Sequence, residues 1–229
     1  KRVNPWADDE WDARHTLREL RLMRLLRGHP NIINLLDAVL GKDLFIVMEL
    51  MDSDLHRIIT SKKTLQASHV SCLTAQLLLG IQAMHSLGVL HRDLKPGNLL
   101  VSRSCQLRIT DFGLSRYDNK NPLTEYVVTR WYRCPEVLLA PHLPYTAAVD
   151  CWSAGCIFAE LIRRKPAFQG KNFVHQVQVI FLRLGTPADL GFVPRDDAAR
   201  FLAKQPTHLN PEFAWLPATP TQKNFAAKL

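Results

Sequence analysis

Apolar residues recur at intervals of three and four along several stretches of the chain, which is the period of an amphipathic α-helix. The clearest stripe runs from Val70 to Met84, and Gly88 follows it where such a helix should end. The run at 149–162 is apolar on nearly every face, which predicts a buried helix. The ranges predicted to be helical are 9–27, 67–87, 149–162, 173–184 and 221–229.

Shorter apolar runs predict β-strands in two parts of the chain. Residues 49–66 form a polar connection with no predicted element, and 111–148 is predicted to be irregular. Together these features predict a small strand-rich part at 1–48, a link near 49–54, and a larger, mostly helical remainder. The predicted strands are 32–39, 44–48, 99–101 and 107–110, and the region 187–220 is predicted to be loop with short helices.

The composition is that of a folded protein, and it narrows the classes of function. The 229 residues are 47% hydrophobic, which excludes disorder as the main state, and no apolar stretch approaches the roughly 20 residues that cross a membrane. Five cysteines without paired spacing favour a reduced, intracellular chain over a disulfide scaffold, and they argue against zinc. The net charge of +8 favours acidic partners such as phosphates, nucleic acid or an acidic peptide.

Two polar segments carry the residue types that phosphoryl transfer needs. Residues 91–98 read His-Arg-Asp-Leu-Lys-Pro-Gly-Asn, and an Asp-Phe-Gly triplet begins at Asp111. Asp93 offers a carboxylate that can accept the proton of a substrate hydroxyl, and Lys95 can steady the transferred phosphate. Asn98 and Asp111 offer the hard oxygens that Mg²⁺ prefers. Each triplet alone could be a salt-bridged loop or a turn, but together they indicate phosphoryl transfer from ATP.

These motifs resemble the catalytic loop and the metal-binding motif of eukaryotic protein kinases, and the lysine two positions after the aspartate is of the serine/threonine type. The segment Thr124-Glu125-Tyr126, followed by Val-Val-Thr-Arg-Trp-Tyr-Arg, resembles mitogen-activated protein (MAP) kinases of the ERK-like branch. The resemblance implies an α+β, bilobal kinase fold. Its parts would be the remainder of the small lobe at 1–48, the hinge at 49–54, and the large lobe with part of the MAP kinase insert at 55–229.

ATP and Mg²⁺ are the cofactors that the resemblance implies. Lys1 matches the lysine that holds the ATP phosphates, and Glu19 matches the glutamate that pairs with it. Thr129 matches the threonine that hydrogen-bonds Asp93 and Lys95 in serine/threonine kinases. The segment 44–55 resembles the family's hinge, although it could also be an apolar strand that ends in an acidic turn. The hinge positions expected to contact the adenine and the ribose are Met48, Glu49, Met51 and Asp54.

The resemblance also implies a switch controlled by phosphorylation. Thr124 and Tyr126 match the pair that an upstream dual-specificity MAP kinase kinase phosphorylates. Each phosphate adds about 1.5 to 2 negative charges and strong acceptor oxygens, which arginines bind well. The positions that match the phosphothreonine pocket are Arg18, Arg92 and Arg116, and those that match the phosphotyrosine pocket are Arg130 and Arg133. The last two also resemble the part that sets a preference for proline after the phosphoacceptor.

The expected function is that of a serine/threonine kinase acting before proline in a signalling cascade, in the cytoplasm and the nucleus. The expected partners are protein substrates, the upstream dual-specificity kinase, phosphatases and docking-motif proteins, but neither nucleic acid nor a membrane. The alternative is a truncated, inactive fragment that serves as a binding protein or scaffold, because the family's Gly-rich loop should precede Lys1 and its last helices should follow Leu229. Gly97, Ser115 and Cys134 depart from the family pattern, and Cys134 is either a small buried residue or a reactive thiol.

Overall fold

The computed structural model describes residues 1–3, 10–115, 130–140, 146–186, 200, 216 and 220–226. The chain divides into two units, Lys1–Asp118 and Asn119–Leu229, each with its own internal contacts. Helices predominate over short strands in these ranges, which confirms the predicted α+β class. No helix in the described part of the chain is long and apolar enough to cross a membrane. The lobe and hinge boundaries stay predictions.

The first unit begins with a three-stranded antiparallel sheet. β1 (Arg2–Val3) and β2 (Leu35–Leu40) lie on either side of β3 (Leu44–Met48). Leu44 and Ile46 on β3 are buried, whereas Phe45 and Val47 are exposed, because successive side chains of a strand face opposite sides. The predicted strand at 44–48 is confirmed.

A long helix and a bridge connect this sheet to the rest of the unit. α1 (Glu10–Leu25) confirms the first predicted helix, buries Met23 and packs against the turn at 112–114. The strand predicted to start at residue 32 starts only at residue 35, so the prediction is wrong for its first residues. Ile32 forms a parallel bridge with Ile109 instead, and this bridge joins the segment before β2 to a different strand.

The second sheet of this unit lies beside the loop at 91–98. It consists of β4 (Ser53–Asp54), β5 (Leu99–Val101) and β6 (Leu107–Ile109), with β5 in the middle and all pairs antiparallel. The strand prediction at 99–101 is confirmed, and the strand predicted at 107–110 ends one residue earlier. The hairpin therefore brings the residues after β6 next to the residues before β5.

The prediction of a polar connection without an element at 49–66 is wrong. This region contains β4 and also α2 (Leu55–Thr60), whose Leu55 and Ile59 are buried. Asp54 caps α2, since its carboxylate accepts a hydrogen bond from the Arg57 amide at 2.9 Å. The helix has only six residues, which is too short to show a helical period clearly.

The long helix of the first unit, α3 (Ala67–Ser86), confirms the strongest prediction. Its apolar stripe from Val70 to Met84 is buried, and Gly88 follows with a φ of +69°, the left-handed conformation that glycine adopts most easily. Gly80 lies against β6, where an added Cβ would sit 2.6 Å from a side-chain carbon of Ile109. α3 and β6 are thus in close contact, and the chain continues from α3 into the loop at 91–98.

The second unit is helical in its described parts. The predicted helices at 149–162 and 173–184 are confirmed, the first with each end shifted by one residue. The helix predicted at 221–229 is confirmed up to residue 226, and 227–229 lie outside the described residues. α4 lies inside the region predicted to be irregular, so the prediction is wrong there. The helices of this unit are α4 (Pro135–Leu139), α5 (Ala148–Arg163), α6 (Phe173–Leu184) and α7 (Pro220–Ala226).

Candidate active site

His91 organises the loop that follows α3. Its side chain is fully buried, and its Nδ1 atom accepts a hydrogen bond from the Asp93 amide at 3.3 Å. The proton therefore lies on Nε2, which donates to the Thr110 carbonyl at 3.0 Å. The ring also packs on Phe112 with centroids 5.4 Å apart. One imidazole thus connects the loop at 91–98 with the Asp-Phe-Gly segment.

Asp93, Lys95 and Asn98 form a hydrogen-bonded cluster in this loop. Asp93 Oδ2 accepts hydrogen bonds from Lys95 Nζ at 2.8 Å and from Asn98 Nδ2 at 3.1 Å. Asn98 Nδ2 also donates to the Asp93 carbonyl at 2.9 Å. Because Oδ2 is occupied by two donors, Oδ1 is the oxygen that can accept the proton of a hydroxyl. The cluster is mostly buried, so the carboxylate is held in one orientation.

The two predicted metal ligands have the chemistry that Mg²⁺ requires. The nitrogen of the Asn98 amide is occupied by Asp93, which leaves the amide oxygen for a cation. The Thr110 amide donates to the Asn98 carbonyl at 3.0 Å, so Asp111 follows directly on a residue bonded to Asn98. Asp111 has a φ of +68°, a left-handed conformation that is uncommon for a residue with a Cβ. An amide oxygen and a carboxylate fit Mg²⁺, which usually keeps water and phosphate oxygens as its other ligands.

Lys1 and Glu19 form a bidentate ion pair. Lys1 Nζ lies 2.8 Å from both carboxylate oxygens of Glu19, and Glu19 is buried on α1. The backbone of Lys1 is fixed as well, since its carbonyl accepts a hydrogen bond from the Ile46 amide at 2.8 Å. The ammonium group is therefore held at a defined position between the first sheet and α1.

The predicted hinge positions lie at the end of β3 and in the segment after it. Met48 ends β3, and Met51 is partly exposed. The Glu49 amide donates to the Asn34 carbonyl at 3.2 Å, so only its carbonyl is left for an adenine contact. The carboxylate of Asp54 binds the backbone amide of Arg57 with one oxygen and its guanidinium with the other. A carboxylate has about four acceptor sites, so acceptor capacity for a ribose hydroxyl is left.

Four of the five predicted phosphate-binding arginines lie in the described ranges. Arg18 lies on α1, where its Nη1 atom is buried and meets no hydrogen-bond partner among the described residues. Burial lowers the pKa of Arg18, and the nearby charge of Arg14 lowers it further. Arg92 is buried with a φ of +72°. Arg133 belongs to the second unit.

Arg130 begins a short 3₁₀ turn in the second unit. Four of the predicted site residues lie outside the described ranges. They are Arg116, Thr124, Tyr126 and Thr129.

The sequence did not predict a buried polar network behind the site. Asn31 Nδ2 donates to Gln76 Oε1 and to the Leu107 carbonyl, both at 3.2 Å, and the Ile109 amide donates to the Asn31 carbonyl at 2.9 Å. Ser115, noted only as a departure from the family, donates its hydroxyl to the His91 carbonyl at 3.2 Å. No local pattern marks these residues, because each bond joins positions far apart in the chain.

The site therefore combines a fixed carboxylate, a lysine beside it, two oxygen ligands for a hard cation and a second lysine held by a glutamate. The chain belongs to the protein kinase family, since the family model described as "Protein kinase domain" matches residues 1–212.

Curated proteins with similar sequences are MAP kinases. The chain is 48% identical to Mitogen-activated protein kinase 3 of Arabidopsis thaliana, over 90% of the chain and 58% of that protein. It is 44% identical to Mitogen-activated protein kinase 5 of Oryza sativa subsp. indica, over 93% of the chain and 60% of that protein. The chain thus spans somewhat more than half the length of these relatives. The predicted resemblance to MAP kinases and the predicted fold class are confirmed.

Proposed function

We propose that the protein is a serine/threonine kinase of MAP kinase type, which transfers the γ-phosphoryl group of ATP to hydroxyl groups of protein substrates. The observation that carries this proposal is the cluster in which Lys95 and Asn98 both donate to one oxygen of Asp93. This arrangement orients the other carboxylate oxygen towards an incoming hydroxyl and sets a positive charge next to it.

The residues have separate tasks in this reaction. Asp93 Oδ1 accepts the proton of the substrate hydroxyl while the hydroxyl oxygen bonds to the γ-phosphorus of ATP. The bond between the γ-phosphorus and the bridging oxygen breaks, and ADP leaves with that oxygen. Lys95 offsets the negative charge of the transferred group, and Lys1 holds the other ATP phosphates while Glu19 fixes its position. Asn98 and Asp111 would hold Mg²⁺, which when bound neutralises charge on the phosphates.

The proposal includes activation by phosphorylation of Thr124 and Tyr126 within a MAP kinase cascade. The buried Nη1 atom of Arg18 supports it, because a phosphate would supply the acceptor that the described residues do not. Arg18 also precedes Glu19, so an anion bound there would steady the helix that holds the Lys1 partner. Preference for proline after the phosphoacceptor, docking-motif partners, phosphatases, and a place in the cytoplasm and nucleus belong to the same proposal.

The test of catalysis is Asp93→Asn in the full-length protein. The amide keeps the shape of the carboxylate but accepts no proton, so kcat should fall by roughly 10² to 10⁴-fold while the Kd for ATP stays unchanged. Asp37→Asn, at an exposed position on β2, is the matched control and should leave kcat unaltered. If Asp93→Asn keeps full turnover, the proposed role is wrong. If wild-type protein phosphorylated on Thr124 and Tyr126 binds ATP and substrate without turnover, the scaffold alternative is correct.

The test of activation combines Thr124→Ala with Tyr126→Phe. This double variant should lose the rise in kcat that an upstream dual-specificity kinase causes, and it should keep the ATP affinity of the unphosphorylated wild type. Activation equal to that of the wild type would contradict the proposed switch and leave the catalytic proposal intact.

A further inference from the structure

Two cysteine side chains meet where α3 lies against the turn between β5 and β6. Cys72 is exposed on α3, and Cys105 is half-buried in the turn. Burial raises the pKa of the Cys105 thiol, and the nearby charge of Cys72 raises it further. A single nitrogen, Gln76 Nε2, lies 3.2 Å from Cys72 Sγ and 2.8 Å from the Cys105 carbonyl oxygen. The two thiols are therefore neighbours within one chain.

The turn itself is fixed against α3. Gln76 Oε1 accepts a hydrogen bond from the Leu107 amide at 2.9 Å, so the same side chain binds the turn on both sides of Gln106. The turn is closed by the Cys105 amide, which donates to the Ser102 carbonyl at 3.0 Å. These bonds limit the separation that the two cysteines can reach in the folded chain.

Cys105 has a left-handed backbone conformation, which glycine adopts more easily than cysteine does. Its φ of +62° lies in the left-handed region, which glycine occupies without strain and which a residue with a Cβ adopts at a cost. A turn followed by one left-handed residue is a common hairpin connection, and glycine usually fills that position. Because glycine would fit this backbone better, we infer that the position holds a cysteine for the chemistry of its side chain.

We propose that Cys72 and Cys105 form a reversible intramolecular disulfide when the protein meets a hydroperoxide, which makes this pair a redox-modification site separate from the proposed kinase site. Cys72 reacts first because it is exposed: its thiolate attacks one peroxide oxygen, the O–O bond breaks, and a sulfenic acid forms as water or an alcohol leaves. The Cys105 sulfur then attacks the sulfur of Cys72, and water leaves as the S–S bond forms. The peroxide takes up both electrons.

The disulfide would change a cavity whose wall includes Cys105. The cavity has a volume of about 460 Å³ and is lined by Cys105 and by apolar side chains of Ile58, Leu65 and Leu73. An S–S bond of about 2.0 Å is shorter than any contact between two thiols, so the Cys105 side chain is drawn towards Cys72 when the bond forms. Oxidation therefore changes the part of the cavity wall that Cys105 forms, and reduction restores it.

The experiment treats the reduced full chain with hydrogen peroxide, alkylates the remaining thiols and identifies peptides by mass spectrometry without reduction. The expected product is the Cys72 peptide linked to the Cys105 peptide, with the mass of two hydrogens lost, and dithiothreitol should reverse it. Isotope-labelled chains mixed with unlabelled chains should give no linked peptide of mixed label, because the bond forms within one molecule.

Single variants distinguish the cysteine that peroxide oxidises first from the cysteine that then forms the disulfide with it. Cys105→Ser should lose the linked peptide completely and should accumulate a sulfenic acid on Cys72 that dimedone traps. Cys151→Ser is the matched control, since Cys151 is a half-buried cysteine of the second unit, and it should form the linked peptide as the wild type does. The proposal is overturned if wild-type Cys72 accumulates dimedone adduct to the level of Cys105→Ser, if the link is only between molecules, or if peroxide oxidises neither cysteine.

Discussion

At the scale of single residues, Tyr132 and Glu160 form a buried hydrogen bond in the second unit. The Tyr132 hydroxyl donates to Glu160 Oε2 at 2.6 Å, and both side chains are buried. Burial raises the pKa of Tyr132 well above its ordinary value, and the negative charge of Glu160 raises it further. Tyr132→Phe should lower the free energy of unfolding by about 1.5 to 3 kcal/mol, as expected for a hydrogen bond to a charged group. Urea unfolding at neutral pH measures this loss.

A double-mutant cycle tests whether this loss belongs to the pair. Glu160→Gln and the double variant complete the cycle with Tyr132→Phe, and residues in contact should show an interaction energy of roughly 0.5 to 3 kcal/mol. Additive losses would mean that the two side chains stabilise the fold independently, which contradicts the proposed coupling.

The thiol of Cys134 should be unreactive in the folded chain. Its side chain is buried, and burial raises its pKa well above the ordinary value, with the charge of Glu136 adding to the effect. The thiolate is the nucleophile, so at pH 8 iodoacetamide should modify exposed Cys72 much faster than Cys134. Mass spectrometry over time gives both rates, and unfolding in urea should make them similar. Equal rates in the folded chain would favour the reactive-thiol alternative.

The parts of the site that sequence could predict are those that one short loop contains. Asp93, Lys95 and Asn98 are so close in the chain that their order alone indicates that they can meet. The contact between Lys1 and Glu19 could be expected only from a family resemblance, because spacing does not show that the residue before β1 reaches α1. The bond from Ser115 to the His91 carbonyl depends on how two distant loops pack, which neither periodicity nor spacing reveals.

At the scale of elements, the start of α6 depends on one side chain. Asn172 Oδ1 accepts a hydrogen bond from the His175 amide at 2.8 Å, which satisfies one of the backbone donors that a helix leaves unpaired at its first turn. Asn172→Ala should lower the free energy of unfolding by about 1 kcal/mol. Asn172→Asp keeps the acceptor and should retain the stability of the wild type in urea unfolding. Equal losses in both variants would show that the cap contributes nothing.

Length decides which elements the sequence could predict. α3 and α5 have enough turns for an apolar stripe to repeat, and both were predicted within a residue or two of their ends. α2 and α4 have six and five residues, so a single turn leaves no period to detect, and both were missed. The late start of β2 has another cause. Ile32 is as apolar as a strand residue, so the pattern included it in the strand. It pairs with Ile109, which is distant in the sequence, and the apolar pattern does not reveal this partner.

At the scale of the whole molecule, three buried groups make stability depend on alkaline pH. Burial raises the pKa of Cys134, Cys156 and Tyr132 above the ordinary values of 9.0 for a thiol and 10.0 for a tyrosine. Above pH 9 the unfolded chain releases protons that the folded chain keeps. The folded state then binds more protons, so the free energy of unfolding falls as pH rises. Below pH 9 the stabilisation from these groups is fully present.

The expected slope can be checked by urea unfolding under reducing conditions between neutral pH and about pH 10.5. Each group that ionises only in the unfolded state lowers the free energy of unfolding by about 1.4 kcal/mol per pH unit. The decline should therefore begin near pH 9 with the two thiols and steepen near pH 10 with the tyrosine. Cys156→Ala should reduce the slope of the free energy of unfolding against pH by the contribution of one thiol. The reason is that Cys156 is fully buried, so its thiol ionises only in the unfolded chain. A stability that stays level from pH 8 to 10.5 would contradict this, since it would require all three groups to ionise equally in both states.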